Sequence, residues 1–411
     1  MRWLSVAMVA GGMALTSASA RAQATTPTPA PLVPASEQNG FVLQSANGEN
    51  RLVLGLTLQV DGRFPLGDTD APPGTFSIRK MRPTFSGRIA KYFDFTVMPD
   101  FGGGTAVLLD AHFDVRLSPK FRLRTGKDKT PVGYEVLLGD AHLVFPERSI
   151  ASLLVPNRDI GFQAQGDLSP RFSYSGGVFN GVQDGVNSTT DDTNSAKDLA
   201  GRIVWQPFRS TTAPAGALNG LGFHLGGSVG KQQGALPSFR TLGGLTYFSY
   251  AAGAVASGPR DRISPAVFCY YKSFGGYGEY TRSIQDVRLS GASSTVANDG
   301  WEITGSYVLT GEPASDRGVR PHYSLDPQNG HWGAFQIAAR YSELHVDPEI
   351  FSNGLASATS NQRARAISVG ANWYLNTYIK YYASFERTEM DGGSIGPRRE
   401  NTIVLRAQVL F

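Results

Sequence analysis

Segments of about ten residues that alternate apolar with polar recur along nearly the whole chain, and no other feature constrains the fold as much. In LVLGLTLQVDG, Leu52, Leu54, Leu56, Leu58 and Val60 share one face, and Gly55, Thr57, Gln59 and Asp61 the other. In FDFTVMPDF, Phe93, Phe95, Val97 and Phe101 oppose Asp94, Thr96 and Asp100. In VLLDAHFDVRL, Val107, Leu109, Phe113, Val115 and Leu117 oppose Asp110, His112, Asp114 and Arg116. A period of two means strands with one apolar face. Soluble sandwiches alternate too, but their strands typically run to about 5–6 residues. Here the apolar faces are longer, the opposite faces carry many charges, and short connections (118–119, 168–170) contrast with long ones (129–158, 183–197). Together these describe an all-β, antiparallel transmembrane barrel with a water-filled lumen, short periplasmic turns and long outer loops.

The pattern predicts strands at 51–63, 78–90, 92–102, 107–117, 120–128, 159–167, 171–182, 198–207, 220–231, 262–273, 275–287, 299–311, 331–345, 363–376, 378–390 and 400–411. These sixteen satisfy the even number that a bacterial barrel needs, so the further stretch 240–256 is assigned to a long outer loop. The chain ends ENTIVLRAQVLF, with Ile403, Leu405, Ala407, Val409 and Phe411 on one face and Thr402, Val404, Arg406, Gln408 and Leu410 on the other. Such a strand closes a barrel against the first one, with Phe411 in an interfacial aromatic girdle.

At the other end, residues 1–22 read as a signal peptide: Arg2, an apolar run from Trp3 to Leu15, then small-x-small cleavage sites between 20 and 24. Residues 23–50 form a Pro-rich periplasmic segment, and 51–411 the barrel. No later segment approaches 18 unbroken apolar residues, so helical spans are not expected. Removing 1–22 takes away Arg2 and Arg21 and no acid, leaving 36 basic against 34 acidic residues. That balance does not suggest a nucleic-acid binder, which would carry a concentrated basic footprint. The single cysteine, Cys269, lies inside a strand pattern and reads as a packing residue. The six histidines are scattered, with neither metal-ligand spacing nor an adjacent nucleophile motif, which argues against a barrel hydrolase, a metal or a cofactor.

Several stretches, in order, resemble the phosphate-selective porins of Gram-negative outer membranes: FPERSIASLLVPNRDIGFQAQG, RISPAVFCYYKSFGGYGEYTRS, GWEITGSYVLTGE at 300–312, GAFQIAARYSEL at 333–344, GANWYLN at 370–376 and VLRAQVLF. The resemblance implies a homotrimer in outer-membrane lipid, with the third outer loop, here 129–158, folded inward. It implies passive diffusion of small anions, phosphate or polyphosphate among them; a weakly selective channel for other small hydrophilic solutes is the alternative. It also implies that the terminal Phe411 is read by the barrel assembly machinery.

An anion path needs lumen cations, and arginine's planar fork suits phosphate oxygens. On IRKMRPTFSGRIA the lumen face carries Lys80, Arg82 and Arg88 opposite Met81, Pro83, Phe85 and Ile89, with Arg79 able to reach the outer vestibule. Arg122, Arg124, Lys127 and Lys129 lead into the constriction loop, and Arg148 and Arg158 bracket its apolar part. Measured against the resembled family, Arg79, Lys80 and Asp110 are kept. A first-strand arginine is replaced by Thr57, a loop lysine by Ala141, and the fifth-loop arginine ladder is reduced to Arg240. The scaffold thus matches the family better than its phosphate site does.

Overall fold

The computed structural model describes residues 41–67, 73–189, 192, 194–210 and 216–411. The signal peptide and most of the Pro-rich segment lie outside the described residues. The chain forms β1 (Phe41–Gln44), β2 (Arg51–Pro65), β3 (Thr75–Ile89), β4 (Phe93–Asp100), β5 (Val107–Ser118), β6 (Phe121–Lys129), β7 (Arg158–Ser169), β8 (Phe172–Phe179) and β9 (Asp198–Trp205). There follow β10 (Leu221–Gly234), the short β11 (Phe239–Arg240) and β12 (Thr246–Phe248), then β13 (Val255–Tyr271), β14 (Phe274–Leu289) and β15 (Ala292–Val308). The last four are β16 (Ala334–His345), β17 (Arg363–Tyr374), β18 (Ile379–Asp391) and β19 (Arg398–Leu410).

Sixteen of these strands close into one antiparallel barrel, with β19 paired to β2. The faces fall where the alternation puts them. Phe85, Phe113, Phe162 and Leu405 are exposed to the outside, while Gln59, Asp61, Arg406 and Gln408 are buried within the lumen. Residues 240–256 belong mainly to an outer loop, in which β11 and β12 form a small hairpin of their own.

Four features depart from the expected layout. The end of the 23–50 segment is a strand, because β1 pairs with β2 from Phe41↔Leu54 to Gln44↔Arg51. The tenth barrel strand begins at Val255 rather than 262: Gly258 and Pro259, which read as a loop, sit where the β13–β14 register shifts, a place where proline is tolerated. Likewise 288–298 is not a loop. Ser290 (φ 50°) and Gly291 (φ 89°) make a tight two-residue turn, and the polar residues around them continue the ladder. Finally, the periplasmic connections 206–220 and 309–333 are not short. Residues 309–333 fold back on the barrel, packing Ala314 and Val319 against Val308, Ala334 and Tyr374, and pass Gly318 beside His142.

The main apolar core sits inside the outer mouth. Phe239, Leu242, Tyr247 and Phe248 of the 235–254 loop pack on Ile150 and Leu154 of the 130–157 loop, against Ile350 and Leu355 of the 346–362 loop. A barrel wall has no need of this cluster; its effect is to press the 130–157 loop into the lumen.

Candidate functional site: the lumen constriction

The loop 130–157 enters the lumen as expected, and its backbone is satisfied almost group by group by the far wall. Lumen-facing Gln408 Nε2 donates to the Ala141 carbonyl (3.0 Å), Lys380 Nζ to Leu143 (2.9 Å) and Asn372 Nδ2 to Val144 (3.0 Å). Arg406 donates to the Pro146 carbonyl and Arg340 to that of Glu147 (2.9 Å). Nearer the start of the loop, the Glu279 carboxylate accepts from the Tyr134 and Glu135 amides at 2.7 and 2.9 Å. Buried backbone polar groups require such partners. With its carbonyls turned to β16–β19, the loop directs Asp140 and Glu147 toward the adjoining β2 and β3, while Arg148 folds back on the loop's own carbonyls and Asp140.

One glycine permits the close approach. A Cβ on Gly226 of β10 would lie 2.0 Å from the Val132 carbonyl oxygen. Gly226→Ala should therefore displace the start of the loop and raise single-channel conductance, with the barrel still formed; an unchanged conductance would show that the loop yields without moving.

The strand that meets these acids is β3, two places round the barrel from β19. The register with β2 shifts between Gln59↔Lys80 and Val60↔Ile78, so Arg79 is an extra residue and reaches inward together with Lys80. The Arg79 guanidinium contacts Glu147 at 2.8 and 3.1 Å and remains 41% exposed. Lys80 lies 3.1 Å from Asp140; Arg82 bridges Asp140 and Asp100, the latter at 2.7 Å. Arg148 pairs with Asp140, and Arg158 with Asp110 at 2.6 Å. Arg406 and Asp61 form a fully buried pair at 2.6 and 2.8 Å, with Arg63 3.1 Å from Asp61 and also bonded to Glu147.

Two cavities, of about 260 and 320 Å³, share Arg79, Glu147, Arg148 and Asn157, so they meet at those side chains. We refer to this meeting point, between the inward loop and β3, as the neck. Around it, seven cationic side chains face five carboxylates. Burial alone would raise the Asp140 carboxyl, but Arg148, Lys80, Lys129 and Arg82 hold it well below the usual range; Arg79, Arg406 and Arg63 do the same for Glu147. Both acids therefore stay ionised through mildly acidic pH.

The loop's underside behaves oppositely. Burial, with Lys380 second, pushes the His142 imidazole down to about 4. An unfolded imidazole takes up its proton near pH 6.5, so this group lowers stability progressively as pH falls from about 6.5 through 4 and contributes nothing above that window. His142→Gln should flatten that part of a melting-temperature-versus-pH curve in detergent.

Of the cations expected from sequence, Arg79, Lys80, Arg82, Arg148 and Arg158 are brought together at the neck. Asp110 joins them through Arg158. Arg240 lines the outer cavity, exposed and without an ion pair among the described residues. Arg122 and Arg124 do point inward, but toward the periplasmic end, where both pair with Asp114 and Arg124 also with Asp128. Lys127 and Lys129 are engaged by loop carbonyls, Ser188 at 2.6 Å and Leu138 at 2.7 Å; Lys129 shares the Leu138 carbonyl with Arg148 and acts on Asp140, but neither lysine lines the two cavities. Sequence reasoning passed over Arg63, Arg406, Lys380 and the loop acids Asp140 and Glu147. Arg406 and Asp61 already stood on the lumen faces of the last and first strands; pairing those two faces would have found them.

The model of the phosphate-selective porin O and P family matches residues 53–411. Porin O of Pseudomonas aeruginosa is 27% identical over 88 residues, a match spanning 21% of this chain and only 20% of that relative's length. Among solved structures, the outer-membrane channel DcaP of Acinetobacter baumannii superposes with a TM-score of 0.58 at 10% identity, covering 91% of this chain and all of that one. The anion-selective porin from Comamonas acidovorans gives 0.57 at 11%, covering 88% and 100%. These two likenesses show the fold alone. The family match, which takes in every strand of the closed barrel and the inward loop, makes the chain an outer-membrane β-barrel belonging to the phosphate-selective porin O and P family.

Proposed function

We propose that the chain forms a passive-diffusion channel for small anions, with phosphate-bearing solutes as the preferred class. The observation that carries this reading is Arg79, a cation left 41% exposed at the neck where the two cavities meet. Arg240 adds a second accessible cation on the outer approach. Fixed charges act on a solute within a Debye length, about 8 Å at physiological salt, so two cations beside a neck raise the local anion concentration.

Arg79, Lys80, Arg82, Arg148, Arg158 and Arg406 all have carboxylate partners, which favours a second reading, weak selectivity among small hydrophilic solutes. Planar-bilayer recording in a salt gradient separates the two. The anion reading expects a reversal potential favouring chloride over potassium, shifting toward cations in Arg79→Glu/Arg240→Glu, and more at low salt than at high. A cation-favouring wild type ends it. Thr57→Arg, opposite Arg82 in the β2–β3 register, and Ala141→Lys, on the inward loop, should each strengthen block of chloride current by phosphate. No added block from either removes phosphate as the preferred solute.

A homotrimer fits the outer surface of β3–β9. There Phe76, Phe101, Phe162 and Leu199 keep the outward face apolar toward the outer rim. Phe411, packed edge-on against Phe41 at 5.5 Å, is the end that the barrel assembly machinery would read. The scattered histidines and the paired lumen carboxylates support a channel rather than a hydrolase.

A further inference from the structure

The other half of the outer surface is not apolar to the rim. Across β14–β18 one outward row runs in register as Arg282, Asp299, His345, Arg363 and Asp391. The next row down, across β15–β19, is Trp301, Glu343, Arg365, Glu389 and Arg399. These positions continue the outward alternation of Ile303, Ile367 and Leu405, so they face away from the lumen. Strand direction puts them at the outer end: β19 runs from Arg398 down to the terminus that closes the barrel beside Leu56.

The rows are built, not loose. Arg363 and Arg365 grip Asp391 at 2.8 and 2.7 Å, and His345 lies 2.7 Å from Glu343 and 3.5 Å from Asp299. Trp301 of the lower row and Tyr341 just beneath it pack at 5.1 Å, as an interfacial aromatic pair does. Clefts of about 510 and 660 Å³ open on either side of Asp391, the first lined by Asp299 and Arg363, the second by Arg365 and Arg399. At the two ends Arg282 and Arg399 are exposed and carry no ion pair among the described residues. On β3–β7 the corresponding outer ends show Phe76, Ile78, Phe101, Val107 and Phe162 instead. The charge is therefore specific to one half of the rim.

We propose that this double row is a binding surface for the phosphate-bearing headgroup of an outer-leaflet glycolipid. Guanidinium forks match phosphate oxygens, and the interleaved carboxylates suit the divalent cations that bridge neighbouring phosphates. The acyl chains lie on the apolar rows that begin with Ala339, Val369, Phe385 and Ile403, while Trp301, Tyr341 and the outward Arg387 mark the boundary. A charged side chain placed this close to hydrocarbon needs a polar partner, and the headgroup supplies it. The surface lies outside the pore, so it stands whether or not the channel prefers anions.

The test uses the full-length protein in neutral detergent with magnesium, and native mass spectrometry to read bound diphosphorylated lipid A. Arg282→Gln/Arg365→Gln/Arg399→Gln should weaken binding about tenfold, and removing the phosphates from the lipid should weaken wild-type binding about as much. Arg399→Gln alone, at an exposed unpaired site, should give a smaller loss, and unchanged single-channel conductance verifies folding. Equal binding of the phosphate-free lipid, or no loss in the variants, would overturn the proposal. Displacement by millimolar inorganic phosphate would also overturn it, by showing a free-anion site.

Discussion

Replacing Asp61 with alanine will destabilise the protein by roughly 3–5 kcal/mol, the usual cost of stranding one member of a buried ion pair. Arg406 is fully buried, grips Asp61 through two nitrogens, and at the same time holds the Pro146 carbonyl and Glu147 of the constriction loop. Without Asp61 the guanidinium is pulled toward Glu147, which loosens Arg79 as well. Thermal unfolding in detergent should show the loss, and single-channel traces should become noisier. Asp61→Ala/Arg406→Met should recover much of the stability, because it removes both charges together. Equal melting temperatures for wild type and Asp61→Ala would mean that water already reaches the pair.

Leu56→Arg will cost up to about 1 kcal/mol, because Leu56 pairs with the interfacial Phe411, whereas the adjacent Thr57→Arg will be tolerated. Leu56 sits opposite Pro83 in the middle of β3, on the outward alternation, and Thr57 sits opposite lumen-facing Arg82. Refolding yields into lipid vesicles over a urea series would measure both. Comparable damage from the two changes would place the register one residue away from that described, since such a slip exchanges the faces. Charge reversal at Lys80 and Arg82 is a poor probe of selectivity by comparison. Both are bound to Asp140, so two new carboxylates there would expel the loop before any permeability ratio could be read.

The barrel was legible because lipid outside and water inside impose a period of two on every strand, which the sequence displays from Leu52 to Phe411. The lumen placement of Lys80, Arg82, Arg122 and Arg124 followed from that period. What the period hides are breaks in it. Arg79 reaches the neck only because a bulge sets two successive residues inward, and Gly258-Pro259 looks like a loop although it lies within a ladder. The polar run of Ser293, Ser294, Thr295 and Asn298 was equally misleading, because above the bilayer a strand no longer needs an apolar face. The loop acids Asp140 and Glu147 were missed for another reason: their importance comes from long-range partners, and only the folded wall brings Arg82 and Arg406 to them.

The small strand β1 bears on how wide the pore is. It occupies the edge of β2 from Arg51 to Leu54, directly below the stretch from Thr57 upward that β19 takes, and its Phe41 abuts Phe411. Strand β19 therefore cannot slide two residues toward the periplasm without evicting β1. In a closed sheet, such a slide changes the stagger of the whole cylinder, and with it the tilt of the strands and the diameter of the lumen. Four residues outside the closed wall thus act as an end-stop for the circumference, setting the bore into which the constriction loop must fit.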